Sequence, residues 1–133
     1  MNAVFLDTVG IIALLDEDDQ WHAAAAEAYE RVRRSGALTV STPHVLLECG
    51  NAASRRPYRA DVAELRLKLL QLKRLVDVTP VEEESAWTAY RQPQAGSAGI
   101  VDLISFAVMR RLGITEAFTN DRHFQAAGFV TLF

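Results

Sequence analysis

A single cysteine, Cys49, leaves no internal disulfide to be made, which fits a reducing cytoplasm. Long apolar runs are missing as well. None approaches the ~18–20 residues that span a bilayer, so no membrane association is expected. The opening Met1-Asn2-Ala3-Val4 has no basic segment, and Asp7 breaks the first apolar stretch, which argues against a secretion signal. There is no Gly-rich phosphate loop and no Gly-x-Ser-x-Gly nucleophile elbow. Cysteine and histidine lack zinc-site spacing, so His22, His44 and His123 read as surface or capping residues. Cys49 stands among Leu, Ala and Gly without an adjacent base and reads as an inert buried thiol. Nor is there an excess of positive charge. The net charge of −3 disfavours binding of nucleic acid by overall electrostatics.

What is present is core. Half of the 133 residues are hydrophobic, enough for one folded domain over residues 1–133 and too many for disorder. Charge is unevenly spread. Residues 55–74 carry seven basic side chains against Asp61 and Glu64, whereas Asp16–Asp19 and Glu82–Glu84 are acidic runs. The basic stretch suits either a polyanion facing an acidic, metal-filled site or the solvated side of an amphipathic helix.

Short apolar strands are expected at 4–6, 38–41, 75–78, 117–119 and 129–132. Helices are expected at about 9–15, 20–34, 43–54, 59–73, 81–90 and 102–112, with Ser35-Gly36 stopping the second and Pro43 opening the third. Val62, Leu65, Leu69 and Leu72 form one apolar stripe, widened by Leu67 and Leu70, and read mostly as core. A loop runs from Pro93 to Gly99. Strands alternating with helices define an α/β fold with a mostly parallel sheet. Ligands of such sheets collect beyond the carboxyl ends of the strands.

Three acids fall at sensitive places: Asp7 after Val4-Phe5-Leu6, Asp102 at the head of an apolar helix, and Asp121 after Ala117-Phe118-Thr119-Asn120. Each has an ordinary reading, as helix cap or turn residue. Together, flanked by core sequence, they would be costly anions unless a cation or hydrogen-bond donors neutralised them. Several acids without an internal base point to a divalent metal held by oxygen. Glu48 shares a polar helical stripe with His44, Asn51 and Arg55, which is either solvated or the wall of a site.

The order of these motifs is distinctive. Phe5-Leu6-Asp7-Thr8, then Glu48 with Asn51, then Val101-Asp102-Leu103-Ile104, then Thr119-Asn120-Asp121-Arg122-His123-Phe124 with Ala127-Gly128-Phe129, resemble the PIN-domain family from end to end. The similarity is greatest to VapC-type toxins of bacterial toxin–antitoxin pairs. That resemblance implies a three-layer α/β/α fold and an acidic pocket for Mg²⁺ or Mn²⁺ built from Asp7, Glu48, Asp102 and Asp121. Asp7, Asp102 and Glu48 would be the main ligands and Asp121 an outer one, with Thr8, Asn51 and Asn120 supporting them. It also implies endoribonuclease activity, homodimerisation and inhibition by a small antitoxin. Arg55, Arg56, Arg59 and Arg122 are the candidates for contacts to the RNA backbone. The sequence departs from the family at Gly99-Ile100-Val101-Asp102, where a hydroxyl residue commonly precedes the third acid. A housekeeping RNA-processing nuclease and a catalytically silent binding module are the rival readings.

Overall fold

The computed structural model describes residues 2–93 and 96–133. Four strands, β1 (Ala3–Leu6), β2 (Leu38–Val40), β3 (Glu116–Phe118) and β4 (Val130–Thr131), form one sheet in the order β2-β1-β3-β4, and every pairing is parallel. Seven helices are present among the described residues: α1 (Thr8–Leu15), α2 (His22–Ser35), α3 (Pro43–Ala52), α4 (Arg59–Gln71), α5 (Pro80–Tyr90), α6 (Ile100–Leu112) and α7 (Arg122–Ala126). Helices cover the sheet in the three-layer arrangement. Val4, Phe5, Leu6, Ala117 and Phe118 on the two central strands are buried, as parallel strands covered on both faces must be. The core continues through Val45 and Cys49 of α3 and through Ile104, Val108 and Met109 of α6.

Local chemistry sets the helix ends. Thr42 caps α3 by accepting from the Val45 amide at 3.2 Å, and Pro43 follows at the first helical position. Thr79 and Glu82 form a reciprocal capping box at the head of α5. Gly36 adopts a left-handed conformation (φ 74°) and ends α2.

One glycine positions a whole layer. A Cβ at Gly10 would lie 2.0 Å from the carbonyl oxygen of Phe118, so no other residue lets α1 lie this close to β3.

Two expectations are corrected. The strand expected at 75–78 shrinks to a single bridge between Ser41 and Leu75. The reason is its partner: β2 ends at Val40, and Thr42-Pro43 turn that backbone into α3, leaving no ladder to extend. The leucine stripe of α4 is also narrower than expected. Val62 and Leu69 are buried, but Leu67, Leu70 and Leu72 are 45%, 43% and 51% exposed. The helix ends at Gln71, so Leu72 falls at its C-cap and only one side of α4 meets α3. Within the loop before α6, Gln94 and Ala95 lie outside the described residues.

Candidate active site

Strand register creates the site. Leu6 of β1 pairs with Phe118 of β3 in parallel, so the residues that follow, Asp7 and Thr119, emerge side by side at the carboxyl edge. This is where the sheet reverses direction of growth: the chain leaves β1 for β2 on one side and later returns to β3 on the other. The Thr119 hydroxyl donates to Oδ2 of Asp7 at 2.8 Å, and both side chains are buried. The same Asp7 oxygen caps α1 by accepting from the Val9 amide at 3.3 Å. Its other oxygen, Oδ1, is buried and finds no hydrogen-bond partner among the described residues. Cap and ligand are therefore compatible roles: one oxygen serves the fold and one is left over.

A buried, half-satisfied carboxylate resists ionisation. Burial first, opposed by the Thr119 bond and assisted by the charge of Asp102, pushes Asp7 up to about 7. Asp102 sits in the first turn of α6 and reaches back to the Gly99 amide at 3.4 Å. Burial, then the negative charge of Asp121, then that of Glu48, raise it to about 6. Asp121 lies in the extended backbone after β3 and caps α7, its Oδ1 accepting from the His123 amide at 2.9 Å and meeting the His123 Nδ1 at 2.8 Å. Its own amide donates to the Thr119 hydroxyl at 3.1 Å. Asp102, Asp121 and His123 each offer a ligand atom within 4.8 Å of the others. Glu48 approaches from α3 and accepts a hydrogen bond from Thr8.

The four acids expected from sequence thus sense one another, with Asp102 and Asp121 in a close-set group, Asp7 buried beside Thr119, and Glu48 exposed on α3. A donorless buried carboxylate oxygen, further carboxylates and an imidazole make a donor set suited to a hard divalent cation. Among the expected supporting residues, Thr8 holds Glu48, and Asn120 is half-buried next to Asp121. Asn51 is exposed, one turn beyond Glu48 on α3, and lines a groove against α4.

The arginines are dispersed. Arg56 is tied to Asp16 at 3.4 Å, Arg59 donates to the Ser54 carbonyl at 3.0 Å, and Arg55 and Arg122 are exposed. Cys49 is fully buried and its thiol is pushed up to about 12, chiefly by burial, as suits an inert residue.

Sequence reasoning missed three contributors. Thr119 reads from sequence as the end of a strand, although a hydroxyl two residues before an acid at a strand end is a signal. His123 reads from sequence as a surface or capping residue; it does meet the α7 cap Asp121, but it is half-buried between Asp121 and Ser97, whose hydroxyl meets its Nε2 at 2.9 Å. Ser97 carried no signal, because only the tertiary fold brings its loop to α7.

A parallel sheet with carboxylates gathered at its carboxyl edge defines an α/β domain built around an acidic centre. The chain belongs to the PIN-domain family, whose model, described as "PIN domain", matches residues 4–130. It is similar to the 23S rRNA-specific endonuclease VapC20 of Mycobacterium tuberculosis, in strains CDC 1551 / Oshkosh and ATCC 25618 / H37Rv. The identity is 34% over 128 residues, covering 96% of this chain and 95% of the relative. Among solved structures it is similar to crystalline M. tuberculosis VapC20, described as a Sarcin-Ricin loop cleaving toxin. That match has a TM-score of 0.78 at 31% identity and covers 96% of both chains.

Proposed function

We propose that this protein is an endoribonuclease toxin of a VapBC-type pair that hydrolyses phosphodiester bonds in RNA, with a loop of the large ribosomal RNA as its target class. The observation that carries the reading is the convergence of Asp7, Glu48, Asp102 and Asp121 from four separate parts of the chain, with Oδ1 of Asp7 left buried and unpartnered. The likeness to VapC20 supports the choice of RNA and of a toxin.

Asp7, Asp102, Asp121 and Glu48 would hold Mg²⁺ or Mn²⁺, with His123 available beside them. When bound, such an ion supplies Lewis acidity at the scissile phosphate and charge for the departing 3′-oxygen. The chain's own residues prepare for this. Thr119 fixes the Asp7 carboxylate through Oδ2, and the unpartnered Oδ1 would be its atom available to a cation. Thr8 orients Glu48, and Asp121, His123 and Ser97 form a hydrogen-bonded row that holds the outer wall. Thr119 and Thr8 provide hydroxyls at the acids although Val101 precedes Asp102. Arg55, Arg59 and Arg122 supply positive charge for the RNA backbone, which positions a strand without reading its sequence.

In this reading the protein is a single PIN domain that works as a homodimer in the cytoplasm and is silenced by a small antitoxin. No described helix is long and apolar enough to cross a membrane. The test is incubation of purified protein with total RNA, with and without EDTA, followed by mapping of new 5′ ends. Discrete cuts that vanish with EDTA and with Asp7→Asn uphold the proposal. RNA left intact in Mg²⁺ and Mn²⁺ overturns it.

A further inference from the structure

A cavity of about 390 Å³ opens between α5, α6 and α7, with His123 in its lining. Its apolar lining comes from Ala89 of α5 and from Leu103 and Phe106 of α6, and its polar groups are Gln92, Arg110 and His123. Ala89, Ala98, Ala126 and Ala127 keep much of its lining small. Arg110 is held in place over the rings of Phe106 and Phe129, 6.0 and 5.5 Å from their centroids, and it donates to the Ala127 carbonyl at 3.4 Å. The volume lies within the range of small-ligand sites, and apolar walls with a few placed polar groups are their usual lining.

His123 connects this cavity to the acids. Its ring lines the cavity and meets Oδ1 of Asp121 at 2.8 Å, so one imidazole separates the two. We infer that the cavity between α5, α6 and α7 receives one unstacked nucleobase of the RNA strand whose phosphate lies at the carboxylates. The inference rests on the nuclease reading and deepens it by naming a base-binding subsite.

Three features favour a base. Sequence-specific RNA recognition takes bases splayed from loops and places them against apolar or planar side chains. The Gln92 amide offers both a donor and an acceptor, which suits a base edge. The Arg110 guanidinium at the same cavity complements the anionic strand that carries the base.

The probe is a 5′-labelled hairpin RNA of the sarcin–ricin loop sequence, with each loop nucleotide replaced in turn by an abasic one. It is cleaved in Mn²⁺ by the wild-type chain, by Ala89→Phe, which fills the cavity, and by Gln92→Ala, which touches only an exposed side chain. One abasic position beside the cut should lower kcat/KM about tenfold or more, as loss of a stacked base does. Ala89→Phe should lower kcat/KM on the intact hairpin by a similar factor, and the two changes together should cost no more than either alone. Losses that multiply, or an abasic walk with no sensitive position, overturn the inference while cleavage itself upholds the nuclease. If Ala89→Phe does not fold by circular dichroism, the same cycle with Gln92→Ala decides by the same rule. A hairpin that binds without being cut overturns the nuclease reading. The cycle is then read in Kd by fluorescence anisotropy in Ca²⁺, and non-additive losses there still uphold the base site.

Discussion

Replacing Asp7 by asparagine should stabilise the metal-free protein above neutral pH while abolishing its proposed activity. The carboxylate is 1% exposed and is pushed up to about 7 from an ordinary 3.8, chiefly by burial. Below pH 3.8 the folded and unfolded chains both carry the proton. Between there and about 7 only the folded chain keeps it, and above 7 the folded chain must bear a buried anion. Stability from this group is therefore full in acid and is lost as pH rises through about 7. A difference of about three pKa units corresponds to about 4 kcal/mol. Asparagine removes that cost but leaves an amide N–H₂ or oxygen where Oδ1 had no partner, a penalty of about 1–3 kcal/mol. The net gain at pH 8 is then about 1–3 kcal/mol, or roughly 3–10 °C in Tm for a chain of this size. Urea and thermal unfolding in EDTA at pH 5 and pH 8 measure it. The variant should lead at pH 8 and lose its advantage at pH 5. A variant that is less stable by the same amount at both pH values would refute the reasoning, because Asp7 would then act only as a helix cap.

Other perturbations probe the remaining links. Gly10→Ala forces α1 away from β3 and should cost about 1–3 kcal/mol, read from urea denaturation, together with loss of RNA cleavage. Thr119→Val removes the donor to Asp7 and the acceptor for the Asp121 amide. It should lower stability by about 1–3 kcal/mol and weaken Mn²⁺ binding in the same protein. Adding Mn²⁺ at a hundredfold excess over its Kd should stabilise the wild-type chain by about 2.7 kcal/mol in a thermal melt, with Asp102→Asn responding much less. Charge removal at Arg55 and Arg59 should flatten the salt dependence of RNA binding, whereas the same change at Arg56, already paired with Asp16, should act mainly on stability.

Asp7, Asp102 and Asp121 stand out in the sequence because each lies where a strand ends or an apolar helix begins, whereas Glu48 sits on a polar helical stripe and is singled out only by the resemblance to the PIN-domain family. The α/β alternation was legible from the same punctuation of short apolar runs by caps and prolines. What the sequence could not carry were facts of register and approach. That Thr119 rather than some other hydroxyl holds Asp7 follows from the pairing of Leu6 with Phe118, a relation between residues 112 apart. The strand misplaced at 75–78 has suitable residues, but pairing depends on how far β2 runs, and a Thr-Pro cap ends it. The α4 leucines matched a helical period, yet a period states which residues share a face and leaves open how much of that face another helix covers. His123 looked isolated because its partners, Asp121 and Ser97, meet it through a turn and a loop rather than a spacing pattern.

Mn²⁺ titration by calorimetry at pH 6.5, repeated in buffers of different ionisation heat, tests the acidic centre most directly. Asp7 is mostly protonated at that pH and Asp102 partly so, and both must lose their protons to bind a cation, so saturable binding should release about one proton per site, with far less released at pH 8.5. A titration with no saturable heat, or one whose proton release is unchanged in Asp7→Asn, would contradict the claim that these carboxylates gather to hold a divalent ion.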